Sequence, residues 1–537
     1  MATHTAAGAL APVQGGDPAP MTHRQIMSAL SGLLIGLFVA ILSSTIVSNA
    51  LPTILGDIGG GESAYTWVVT ASLLAVTATT PIWGKLSDLF SKKLLVQLAL
   101  VFYIAGSMVA GFSTSPGMLI ACRLVQGVGA GGLAALSQVI MAAMISPRQR
   151  GRYSGYLGAA YALGTVGGPL IGGVIVDSAL GWRWCFYVGV PFAVVAIIVL
   201  QKTLDLPVVR REVKIDWTGA FFITAAVSLL MVWVSLGGQD YAWLSWQTAV
   251  LLPAAALLAA LFIFTESRAA QPIVPLRLFR NKTITLTSLA SVFVGVSMFS
   301  GTVFLSEYFQ LARGKSATMS GVLTIPLIAG LFVASLGSGR VITRTGRWKG
   351  FLVAGALLLS AGAGLLGTIR VGTPYAETAV YMALLGLGIG MLMQNLVLAV
   401  QNQVTAAELG AASSLVTFFR SLGGAIGVTA LGAALGNRVS HYTAGGLADL
   451  HVTGTTGDSS AIPDLGALPG PVRGVVESAY GHGVADVFLY AAPLAFLSFL
   501  LVVFIKEVPL KNRNGLQQAA AASREAAAAR PPAGVEE

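Results

Sequence analysis

From residue 29 to residue 505 the chain is a succession of long apolar runs separated by short polar clusters, with little residue-by-residue alternation inside a run. Each run is about twenty residues or longer, which as a helix crosses ~30 Å of hydrocarbon. Continuous runs predict helices; the strands of a membrane barrel would alternate instead. Spans are predicted at 29–52, 65–84, 94–113, 117–145, 152–176 and 183–201, then at 217–236 and 247–265. Six more follow at 283–311, 317–339, 350–369, 376–400, 409–435 and 484–505. The grouping is six, two and six. The predicted class is an all-α polytopic membrane protein.

Composition agrees: 55% of the 537 residues are hydrophobic and 10% are charged, where a soluble domain carries about a quarter charged residues. The net charge of +10 points to topology and not to nucleic acid, because the basic residues flank spans and are not interleaved with aromatics. Clusters at Lys92/Lys93, Arg148/Arg150/Arg152, Arg210/Arg211/Lys214, Arg277/Arg280/Lys282 and Arg344/Arg347/Lys349 fall on one side. That side is predicted to be cytoplasmic, and an even number of spans puts both termini there. Arg123 and Arg420 lie inside spans. Cys122 and Cys185 suggest neither a disulfide framework nor a metal cluster, and no cofactor is implied. The first 28 residues lack a signal-peptide pattern.

The predicted layout is a tail 1–28, a six-helix bundle 29–203, a two-helix insertion 204–270, a second bundle 271–507 and a tail 508–537. A long external loop, 436–483, is either a lid or an unstructured connection. Gly314-Lys315-Ser316 is no ATP-binding loop, since Phe309 stands where its first glycine would be. No zinc-ligand cluster or nucleophile elbow suggests an enzyme.

The cluster GKLSDLFSKK, residues 84–93, is placed in the turn between the second and third spans. GRVITRTGRWK, 339–349, occupies the corresponding turn of the second half, with Thr343 where the first has Asp88. Such a repeat in two six-span halves is a mark of transporters built by duplication, with the site between the halves. Through Gly84, Leu86, Asp88, Lys92 and Lys93 the first turn resembles that of the major facilitator superfamily, specifically its fourteen-span drug:proton antiporter branch. It departs at Leu89 and Ser91. The resemblance implies two six-helix bundles with two extra central helices, and an Asp88 that caps a helix of the opposite bundle to shut the cytoplasmic side.

Other stretches carry the same resemblance. CRLVQGVGAGG supplies Arg123, Gln126 and Gly127, with Arg123 about six residues, ~9 Å, inside the outer face. A charge there is costly and functional unless it snorkels. GTVGGPLIGG, 164–173, matches the antiporter signature: Gly164, Gly168 and Gly172 share a face that permits close helix approach, Pro169 removes a backbone donor, and Gly173 completes the pattern. GWRW at 181–184, Asp216-Trp217 and FFRSLGGAIG, 418–427, which holds Arg420, also fit.

In span one the resemblance leads one to expect a carboxylate where this chain has Ser43. Ser44, Thr45, Ser48 and Asn49 remain within about 140° of arc, as a pathway lining or as inter-helix glue. Glu307 becomes the candidate proton carrier, with Ser300 and Gln310 within about 80° on the same face and Arg123 as a possible neighbour; an ordinary hydrated outer glutamate is the alternative. The resulting expectation is a proton-driven exporter of hydrophobic or amphipathic small molecules, such as antibiotics or dyes, working as a monomer in the plasma membrane. The Ala- and Gly-rich composition hints at a high-GC bacterium, hence an inner membrane. An exporter of a lipid or envelope precursor, or a transport-inactive receptor on the same scaffold, are the competing readings.

Overall fold

Fourteen helices in the computed structural model are long and apolar enough to span a membrane. It describes residues 21–59, 62–206, 216–237, 241–449 and 469–528. The first six are α1 His23–Ile58, α2 Glu62–Leu89, α3 Lys92–Ala110, α4 Pro116–Met144, α5 Pro147–Asp177 and α6 Gly189–Thr203. The insertion supplies α7 Trp217–Leu236 and α8 Trp246–Arg268. The second bundle is α9 Lys282–Glu307, α10 Ile325–Thr345, α11 Lys349–Leu366, α12 Tyr375–Gln401, α13 Leu409–Asp449 and α14 Gly470–Val503, followed by α15 Gly515–Ala528.

Within the first bundle α1 packs on α5 and α6, and α4 on α2 and α3; within the second, α9 packs on α13 and α14, and α12 on α10 and α11. The bundles meet through α5 with α10 and α2 with α13, while α7 lies on α2 and also touches α13. Large apolar side chains such as Leu94, Leu98 and Val101 on α3 stay exposed, as a lipid-facing surface requires. Helix α8 is the extreme case, with Ala255 and Glu266 its buried residues.

Three boundaries correct the sequence reading. Gly84 and Asp88 lie in the last turns of α2, and only Phe90 and Ser91 form the turn, because the Ser91 side chain caps α3 at once. Residues 436–449 and 470–483 of the presumed loop are helical. Hydropathy ends the spans early there. The helices continue as a polar hairpin held by Arg438 on Asp486 at 3.3 Å and by Tyr442 donating to Asp486. The middle of that loop, and the basic cluster Arg210/Arg211/Lys214, lie outside the described residues.

The antiporter-type glycines divide between two neighbours. Gly164, Gly168 and Gly172 face α1, where a Cβ on Gly164 would stand 2.9 Å from Ile41 and one on Gly168 would overlap Thr45. Gly173 faces Thr318 and Pro169 faces Gly321, both in the second bundle. Gly168→Leu should therefore cost at least ~1–3 kcal/mol through overpacking and lower the melting temperature in detergent. Gly337→Leu, where a Cβ meets nothing within 4 Å, should not. Equal melting of the two variants would refute the tight α1–α5 seam.

Candidate functional site

At the end of the molecule that carries both termini, the two bundles touch backbone to backbone in two places. Gly84 of α2 lies against Gly410 and Ser414 of α13, and Gly151 of α5 lies against Gly339 of α10; a Cβ at any of the four glycines would collide with the facing residue. Contact this close brings the Asp88 side chain to the start of α13. Its Oδ1 accepts from Gly410 N at 2.7 Å and its Oδ2 from Ala411 N at 2.9 Å. A carboxylate on the unpaired N–H groups of a helix start satisfies orphan donors and complements the helix dipole. Lys85 and Lys92 are close enough to act on that charge.

The second seam has no counterpart of Asp88: Thr343 Oγ1 donates to its own Gly339 carbonyl at 2.8 Å. Arg150, one residue before Gly151, stands there instead, 2% exposed. Its Nε donates to Ile145 O at 2.9 Å and its Nη2 to Ala142 O at 2.8 Å, so it caps the carbonyl end of α4. Its Nη1 donates to Gln401 at the end of α12, across the interface. Gln401 in turn donates to Ser413 Oγ at 2.8 Å and Gln138 O at 3.3 Å, and Gln138 donates to Gln394 at 3.1 Å. A cavity of about 10 Å³ remains among these groups, near the threshold for one water. Sequence reading counted Arg150 only as a topology determinant.

The chain then seals this plane from outside. Glu507 accepts from the backbone N of Trp348 and Lys349 at the start of α11, and Asn402 bonds Pro509 O and Lys511 N. The strap crosses to the first bundle, where Arg148 N donates to Lys511 O, Asn514 donates to Met144 O at 3.1 Å, and Gly515 packs on Ala143 and Leu409. Lys511 is exposed as a residue, but its Nζ donates to Val404 O. Burial of that end, and then the Arg150 charge beyond it, hold the ammonium below its ordinary value. Lys93 ties α3 to α6 through Gln201 O at 2.7 Å.

Toward the other end, α5 meets the short helix Ala317–Leu323 that precedes α10 through Pro169, Gly173, Thr318 and Gly321, whereas Ser44 and Ser48 of α1 are exposed within a membrane-length helix. Thr45 Oγ1 bonds Gly164 O at 3.0 Å, and Asn49 is half-buried. The polar stripe is thus split: Thr45 is glue to α5, while Ser44 and Ser48 are exposed, the Ser48 hydroxyl donating to the Ser44 carbonyl. Glu307 is half-buried at the end of α9 and makes no ion pair among the described residues. Its charge is felt by Tyr65 of the first bundle and Tyr480 of α14. A π turn, Tyr308–Ala312, follows it directly, a rare geometry often found at functional positions.

That turn breaks the α period after Glu307, so Gln310 does not continue the face that Ser300 and Glu307 share on α9. Ser300 is fully buried, and Gln310 bonds Ser306 at 2.9 Å. Arg123 is not paired with Glu307. It is 4% exposed inside the first bundle and donates to Gln126 at 3.0 Å; Gln126 donates to Ser107 of α3 at 2.7 Å, in the space left by Gly106. Gln126 is thus held between α4 and α3. Ser43 is buried, beside Tyr103 of α3. Arg420 is buried on α13, donating to Met393 O at 3.3 Å, with Tyr161 of α5 in electrostatic reach. Among the described residues no three His, Cys, Asp or Glu could hold a metal.

Arg150→Met should leave the carbonyls of Ala142, Ile145 and Gln401 without that donor, each costing ~1–3 kcal/mol when buried. A cysteine at Ser154, on the wall of the small cavity, should then label from the terminus side about 5–30-fold faster. Unchanged labelling would show that the guanidinium adds nothing to closure.

The pattern of the Major Facilitator Superfamily matches residues 33–428. An uncharacterized MFS-type transporter of Mycobacterium tuberculosis is 36% identical over 504 residues, covering 93% of this chain and 72% of that protein. The multidrug transporter protein MdtP of Bacillus subtilis is 36% identical over 409 residues, 76% of this chain and 75% of its own. The MFS efflux transporter aclA of Aspergillus oryzae is 32% identical, covering 88% of each. In structure, the proton:xylose symporter XylE superposes with a TM-score of 0.58 at 15% identity, over 93% of this chain and 100% of its own. Fourteen membrane-length helices in two facing bundles, together with these matches, make this chain a multi-pass membrane transporter that belongs to the major facilitator superfamily.

Proposed function

We propose that the chain is a proton-coupled exporter of hydrophobic or amphipathic small molecules, antibiotic- or dye-like, working by alternating access between its bundles. The observation that carries this reading is the asymmetry of the interface. The terminus end is shut by two glycine seams and buried polar bonds. At the far end Ser44 and Ser48 of α1 are exposed, and the half-buried Glu307 is in no ion pair among the described residues. With the termini in the cytoplasm, as the basic clusters suggest, this is an outward-facing arrangement. The names of the relatives from Bacillus subtilis and Aspergillus oryzae support export and a multidrug cargo.

In this mechanism Glu307 takes up a proton from outside as cargo leaves, and the neutral carboxyl tolerates the closure that buries it. Separation of the seams then opens the inner side, where the proton departs and a new substrate enters. Asp88 holds the outward state by its charge on the start of α13. Tyr65 lies across the interface from Glu307, so occupancy of the site bears on both bundles.

Two measurements test this reading. Asp88→Asn keeps the shape but removes the charge that the two N–H groups address, which is worth about 1–2 kcal/mol. Cysteines along the inner cavity should label about 5–30-fold faster, and export should fall although the protein reaches the membrane; unaltered labelling and export would reduce Asp88 to a structural cap. Glu307→Gln cannot take up a proton. In inverted vesicles it should lose substrate-induced proton release while still binding substrate, and parent-like coupling throughout the neutral pH range would sink the assignment.

A further inference from the structure

The inserted helices carry a second acidic pair that the transport reading does not use. Asp216 caps α7, its Oδ1 accepting from Gly219 N at 2.8 Å. Glu266 near the end of α8 is 3% exposed, on the most lipid-exposed helix of the molecule. Its Oε1 accepts from Ile273 N at 3.0 Å and Val274 N at 3.3 Å, folding the connection to α9 back onto α8. Both carboxylates close over one glycine: a Cβ on Gly219 would stand 2.5 Å from Asp216 Oδ2 and 3.1 Å from Glu266 Oε1. The remaining oxygens, Asp216 Oδ2 and Glu266 Oε2, are fully buried and have no partner.

Two buried acceptors with nothing to accept are costly, and more so when each is half of a charge. Among the described residues the charged groups around them are few. Lys85 of α2 donates to Gln271 at 3.2 Å and acts on Glu266 and on Asp88, one turn further along its own helix. Arg277 and Glu408 also act on Lys85 and are paired with each other at 2.8 Å. Among the described residues, two carboxylates and one ammonium leave one negative charge in excess. A divalent cation would need about six oxygens, and only two are free here. One proton removes one of the two charges and turns one orphan acceptor into a donor.

We propose that Glu266 and Asp216 form a proton-binding site that holds a single proton between them, and that its occupancy reaches the terminus-end closure through Lys85. With the proton bound, the pair carries one negative charge instead of two, so it draws Lys85 less strongly and more of the ammonium's field falls on Asp88, which steadies the α2–α13 seam. Without it, the pair draws Lys85 toward the insertion and the seam weakens. The proton site itself is independent of Glu307 and of export. Only the link to closure rests on the reading of Asp88 given above.

Charge counting makes the test sharp. Full-length protein in lipid nanodiscs is examined by infrared difference spectroscopy between acid and alkaline buffer, which reads the carbonyl stretch of protonated carboxyls. Glu266→Gln and Asp216→Asn should each lose the same single band, since Lys85 balances whichever carboxylate remains; Lys85→Gln should keep it. Retention of all bands in both carboxylate variants would overturn the site. In parallel, spin labels spanning the terminus end should report a closed fraction that falls severalfold from acid to alkaline pH in the parent and stays at its acid value in Glu266→Gln. An identical pH response in parent and variant would overturn the link. Glu307→Gln serves as the comparison, because it should leave the shared band in place even where export fails.

Discussion

Everything at the closed end depends on two main chains approaching without a side chain between them. Gly84 against Gly410 and Gly151 against Gly339 set the spacing at which a short carboxylate reaches two N–H groups and a guanidinium reaches a glutamine across the interface. A methyl group at any of these glycines would push the bundles apart by more than a hydrogen bond tolerates. The polar contacts are consequences of the glycine seams and not their cause. They add selectivity for one separation, which packing alone would leave loose.

The two seams descend from one repeated pattern but use opposite charges. At one, an anion sits on the amino end of α13. At the other, a cation sits on the carboxyl end of α4. Each charge is answered directly by a helix terminus, with Lys85 and Lys92 also acting on Asp88.

The fourteen helices were legible because membrane length and uninterrupted hydrophobicity are properties of single segments, and Asp88 was legible because its spacing from Gly84 and the lysines is local. What escaped was set by partners distant in sequence. Arg150 looked like one more flanking base, since nothing nearby announces Gln401. Gln126 and Arg123 matched a family pattern, yet the pattern does not say that Gly106 leaves room for them inside the bundle. The π turn after Glu307 shifts register without any proline or glycine to mark it. Helices α13 and α14 outlast their hydrophobic stretches because they pair with each other, and hydropathy stops at the water line. Glu266 was overlooked at the edge of its span; only the fold shows how thoroughly it is buried.

The strap from Glu507 to Gly515 begins on one bundle and ends on the other, so the protein carries a ligand for its own closed form. A ligand tied by a few residues is present at an effective concentration in the millimolar range whatever the amount of protein. Its release is then an intramolecular step, insensitive to dilution, and each turn of the cycle must undo and remake it. The tail behind it becomes a mechanical handle. Load placed there, whether a bulky fusion, a tether to a support or a docked partner, would pull on the latch itself and set how often the inner face swings free.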